Sequence, residues 1–112
     1  MADVFIDLGG QKWPVNYSYQ DVKSICRQAG RITLFDLLGR LAGQDLDVLS
    51  VALLVAFESK NPRITVEKID VMVAEFLKGD GRIVDITNPI TEAIEATGAV
   101  KRTKKEAPDP LV

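Results

Sequence analysis

The sequence predicts an α+β domain in which an N-terminal β-hairpin is followed by a bundle of four to five short helices and a disordered C-terminal tail. Three observations carry this prediction. Two runs of alternating apolar residues flank Gly9-Gly10, helical apolar spacing recurs between cap and stop residues from Ser18 to Gly98, and the composition changes at Lys101. A chain of 112 residues that is 46% hydrophobic has enough apolar material for one compact core. The expected organisation is one domain over residues 1–100 and a basic, proline-containing tail over 101–112.

In the hairpin, Val4, Ile6 and Leu8 fall on one face of the first run, and Trp13, Val15 and Tyr17 on one face of the second. The two glycines supply the positive φ that a tight primed turn demands. Pro14 has no N–H to give to a ladder and marks an edge. A two-stranded hairpin is marginal by itself, so its apolar face must lie on helices, further strands or a partner.

Ser18 reads as an N-cap with Asp21 in the first turn, and Val22, Ile25, Cys26 and Ala29 share a face before Gly30. Thr33 caps the next helix, where Leu34, Leu37, Leu38 and Leu41 recur at helical spacing. Gly43 is expected to supply its left-handed stop, and Gly39 to permit close approach of another backbone. Asp45 opens a third helix running to about Lys60, whose centre, VALLVAF, is apolar nearly all round and therefore belongs at the middle of a bundle or against a partner. Thr65 begins a fourth helix, with Val66, Ile69, Val73, Phe76 and Leu77 inward, stopped by Gly79-Asp80-Gly81. The last segment admits two readings: a helix newly started by Asn88 and Pro89, or one helix kinked across Pro89.

Composition restricts the function classes. With no histidine and one cysteine, Cys26, the chain has no disulfide of its own and almost no soft metal ligands, and a reducing cytoplasm is the expected location. No basic leader is seen, and Val51 to Phe57, the longest apolar stretch, is too short to span a bilayer. A net charge of −2 does not suit a phosphate backbone. The tail holds four basic and two acidic residues, leaving ten basic against fourteen acidic in the rest, a net −4. That tail reads as a solubilising end or as a docking arm for an acidic surface.

No catalytic, cofactor-binding or metal-binding constellation is found. Asp45 and Asp47 point apart on a helix, Gly79-Asp80-Gly81 lacks the spaced carboxylates of a calcium loop, and Gly9-Gly10 precedes a strand where a phosphate cradle needs a helix. Lys23 and Arg27 could lower the Cys26 thiol pKa, but the cysteine's apolar face favours packing. The expectation is a non-enzymatic protein-binding domain that needs no cofactor, binds neither nucleic acid nor membrane, and leaves a homo-oligomer open.

Taken in order, VFIDLGGQKWPVNYS, YQDVKSICRQAG and TLFDLLGRLAGQDLDVLSVALLVAF resemble the tail assembly chaperones of long-tailed phages and gene transfer agents, best from Val4 to Phe57. Within them the chain is similar to the subgroup labelled gene-transfer-agent tail tube or tail chaperone. Ser24 and Arg27 stand where that family usually carries acidic residues. The resemblance implies an assembly factor in the host bacterial cytoplasm that binds the tape measure protein, keeps its apolar helices in solution and helps tail tube protein assemble around it. Surfaces compatible with that role are Trp13 on the hairpin, Val48, Val51 and Val55 on the third helix, and Lys101, Arg102, Lys104 and Lys105 in the tail. Two other classes stay open: a structural tail component retained in the virion, and a small regulatory or helix-turn-helix domain. The third helix carries no arginine, lysine or asparagine before Lys60, so it is poorly equipped to read bases.

Overall fold

The structure, a computed structural model, describes residues 4–99. Two antiparallel strands, β1 (Phe5–Leu8) and β2 (Gln11–Pro14), are followed by five helices: α1 (Tyr19–Gln28), α2 (Leu34–Ala42), α3 (Leu46–Phe57), α4 (Val66–Lys78) and α5 (Val84–Ala96). The fold is the predicted α+β hairpin-plus-bundle.

Gly9 and Gly10, at φ 60° and 75°, form the two-residue turn, and Ile6 pairs with Trp13 and Leu8 with Gln11. The Val15 N–H donates to the Val4 carbonyl at 2.8 Å, so by the alternation of an antiparallel ladder the neighbouring Phe5–Pro14 pair is a non-hydrogen-bonded one. Proline therefore sits where its missing donor costs the hairpin nothing. Ile6, Leu8, Trp13, Val15 and Tyr17 are all buried, and the alternating face continues beyond the last paired residue.

That face lies on α3. The Trp13 and Phe57 rings stack with centroids 4.3 Å apart, and the Trp13 indole N–H donates to the Leu8 carbonyl at 3.0 Å, closing the hairpin's own polar inventory. The buried Tyr17 hydroxyl donates to the Ala52 carbonyl at 2.8 Å, and Lys60 bonds the Lys12 carbonyl at 3.0 Å with its ammonium 5.1 Å from the Trp13 ring. α3 packs against α1, α2, α4, α5 and β2, which explains its near-uniform apolarity. It is the central helix.

The caps follow the sequence. Ser18 and Asp21 form a reciprocal capping box, and the side chains of Thr33, Asp45 and Thr65 accept from the first turns of α2, α3 and α4. Several details differ from expectation. Gly43 has φ −84°, and the left-handed residue is Gln44 at φ 63°, so the reversal comes one residue later than the glycine. Gly39 faces open space, with nothing near an added Cβ, and no backbone approaches it. α3 ends at Phe57, before Lys60, and Asn61 to Ile64 form a turn instead. Leu77, expected inward, is 37% exposed, because α4 packs mainly on α3 and β1 and buries just Ile69 completely. α5 is one continuous helix with Pro89 inside it, the second of the two readings.

Two tests follow from this packing. Burial, reinforced by Asp21, raises the Tyr17 pKa far above the ordinary phenol value of 10.0. The unfolded chain releases that proton near pH 10 while the folded one holds it, so the stability it provides is complete below that pH and lost as pH rises further. Tyr17→Phe is expected to lower unfolding free energy by about 1 kcal/mol at neutral pH, and to flatten the alkaline decline in a denaturant series read from pH 7 upward. Among the glycines, Gly39→Ala is expected to stabilise by about 1 kcal/mol. Gly9→Ala should destabilise, since its Cβ would lie 2.6 Å from the Met72 sulfur at a φ of 60°. Thermal melts of the two variants should therefore shift in opposite directions.

Candidate functional site

The residues suggested by sequence do not gather into one site. Trp13 and Val48 are each only 2% exposed and belong to the core, so neither offers a surface while the hairpin stays seated. Val51 and Val55 are half-buried on α3 and pack against that core. Lys101, Arg102, Lys104 and Lys105 lie outside the described residues. The physical reason for the first correction is the Phe57 stack and the Leu8 bond, which turn the indole inward with its one donor satisfied.

The concave surface lies elsewhere, along α1 and the turn into α2. Val22, Cys26, Ile32 and Leu34 form the apolar floor of an open groove of about 590 Å³. Lys23, Arg27 and Arg31, all exposed, line its rim, joined by Tyr19 and Ala99. Lys23 and Arg27 are one turn apart on α1. Arg31 joins them because Gly30 and Arg31 are both left-handed, at φ 104° and 61°, and the Arg31 N–H bonds back to the Arg27 carbonyl at 3.2 Å. The Ile32 N–H then reaches the Cys26 carbonyl at 3.1 Å, which folds the chain along the helix end and turns Ile32 toward the floor.

The electrostatics of this groove are one-signed. Among the described residues no carboxylate lines it, and none of its three cations takes part in the ion pairs found there, Arg40–Asp45 and Arg82–Asp85. Its cations stand on a body whose net charge outside the tail is negative. The groove offers apolar contact with charge-assisted recognition at its edge, and no nucleophile–base pair is placed there.

Cys26 settles which of two opposing effects wins. Its thiol pKa is raised by burial, so desolvation outweighs the neighbouring cations and the sulfur stays a protonated, packed side chain. No group of three or more histidine, cysteine, aspartate or glutamate residues is arranged to hold a metal among the described residues. Among those residues, too, no helix is long and apolar enough to cross a membrane.

The groove was foreshadowed by one signal that residue-by-residue reading passed over. Lys23, Arg27 and Arg31 recur every fourth position, the first two on α1 and the third in the turn beyond it, a run of one sign beside Val22 and Cys26. Comparison with family models, curated proteins and solved structures returns no significant match.

Because the thiolate is the reacting species, the raised pKa sets a kinetic expectation. Alkylation of Cys26 by iodoacetamide should be slower than that of a free cysteine at pH 8, and its rate should climb through a pH range displaced upward. A rate matching the denatured chain at every pH would show that the sulfur is not packed as described.

Proposed function

We propose that this protein is a tail assembly chaperone, a non-enzymatic factor that binds the tape measure protein and assists tail tube assembly in the bacterial cytoplasm. The observation that carries the binding role is the α1–α2 groove, an apolar floor bordered by three cations that have no carboxylate partner among the described residues. Such a surface suits the helix-in-groove mode, in which an amphipathic helix lays its apolar stripe in the floor and its flanking carboxylates against the rim. The resemblance over Val4 to Phe57 supplies the identity of the client, and the order of hairpin, short helix and leucine-rich helix agrees with it.

The mechanism in this reading is physical. Apolar client helices are covered until tube protein displaces the chaperone, and no nucleotide is consumed because binding to the soluble form alone shifts the balance away from aggregation. The rim cations give selectivity for helices with acidic flanks and speed encounter by long-range attraction. Arg27, standing where the family usually has an acidic residue, reverses the local charge, so the preferred client should differ in sign along the contacting stripe.

Co-expression with the tape measure protein, followed by pull-down and a solubility assay, tests the proposal. Specific co-purification and raised client solubility are expected, and Arg27→Glu should reduce both while leaving the helical circular dichroism unchanged. An insoluble tape measure protein, together with this chain recovered in purified particles, would replace the chaperone with a structural tail component.

A further inference from the structure

The second apolar depression on the molecule carries the opposite charge. Leu49, Val73 and Ala74 lie at its base between α3 and α4, with Leu46 and Leu77 at its border. Its ionisable residues are Asp47 and Asp70, and no cation lines it. Leu46 and the adjacent Val71 are each 57% exposed, a large amount of leucine and valine surface for a chain of this size. The Ser50 hydroxyl holds Asp70 at 2.6 Å, which fixes one carboxylate beside the apolar stripe. α4 thus presents outward an apolar row, Val71, Ala74 and Leu77, flanked by Asp70 and Glu67.

This is the chemistry that the α1–α2 groove is built to receive. The two surfaces share no residue, and α4 packs on α3 and β1 without substantial contact to α1 or α2. One copy can therefore use both at once.

We infer that the occupant of the α1–α2 groove in the absence of client is a second copy of this chain, docked head to tail by the acidic, apolar outer face of its α4. Lys23, Arg27 and Arg31 of one copy face Asp70 and Asp47 of the next, while Val71 and Leu77 cover Ile32 and Leu34. A contact between two different patches is heterologous, so repetition gives a closed ring or an open filament according to the rotation between copies. The groove is thereby shielded until a client with a similar stripe competes for it. This inference rests on the groove being the binding surface of the proposed function. It does not depend on what the client is, because it is tested with the chain alone.

The test is analytical ultracentrifugation of the full chain across concentration and salt, with the variants Arg27→Glu and Asp70→Lys. Wild type is expected to assemble beyond the monomer as concentration rises, and to weaken as salt screens the contact. Each variant alone should associate at least about tenfold more weakly, since reversal sets like charges together. An equimolar mixture of the two variants should regain assembly, because each altered surface then meets its complement. Circular dichroism establishes that both variants are folded. The inference is overturned by a wild type that stays monomeric at millimolar concentration, by variants that assemble like wild type, or by a mixture that does not recover. A monomeric wild type that nevertheless solubilises the tape measure protein would sink self-docking and leave the chaperone proposal standing.

Discussion

The seating of the hairpin on α3 is the constraint on which the rest of the molecule depends. A two-stranded ribbon cannot hold its own shape in water, and α3 is too apolar to stand exposed on any side. Each solves the other's problem. Trp13 stacks on Phe57 near the end of the helix, and Tyr17 bonds the Ala52 carbonyl near its middle, so two aromatic contacts along one helix set both the position and the direction of the ribbon. The stack is worth about 1 kcal/mol beyond simple burial. The Tyr17 hydroxyl gives its one proton to a carbonyl inside α3, a second acceptance at that oxygen worth about 1 kcal/mol.

With the hairpin covering that side, α1, α2, α4 and α5 fill the remaining surface of α3 unequally. α1 gives Val22 and Ile25 fully to the core but leaves Cys26 half-exposed, and the left-handed turn at Gly30-Arg31 bends the chain before α2 can close over it. α4 has the opposite limitation. It is long enough to cross α3, yet it buries one residue completely, and Val71, Ala74 and Leu77 stay exposed on its outer side. Both concave surfaces are therefore by-products of one arrangement: a central helix with more neighbours than can each lie flat upon it.

How much of this was legible in the sequence depended on whether the information was local. Caps, turn and strand phase were, because Ser18, Thr33, Asp45 and Thr65 act within one helical turn of themselves and Gly9-Gly10 acts on its own φ angles. The inward or outward fate of a hydrophobic residue on a peripheral helix was not. Leu77 belongs to the right face of α4 for burial, and stays 37% exposed at the edge of the α3–α4 contact, where the described elements cover it in part. Trp13 has its alternation legible and its partner not: the hairpin phase turns it toward the helices, but nothing in the hairpin indicates that Phe57, forty-four positions away, stacks on its ring. The groove was half legible, since the run of Lys23, Arg27 and Arg31 is visible as spacing whereas its concave shape is a property of the packed bundle.

Backbone strain gives the last constraint on the groove. Arg31 and Gln44 are the two non-glycine residues with positive φ among the described residues, a conformation costing roughly 1–2 kcal/mol for a side chain with a Cβ. Nothing in the structure accounts for glutamine at 44. At 31 the physical comparison is specific. Glycine would relax the turn, as it does next door at Gly30, but would also remove the third cation of the rim. The chain accepts the strain and keeps the guanidinium. A turn that only linked α1 to α2 would gain from glycine at 31, and the arginine found there adds a third cation to the groove rim at the cost of that strain.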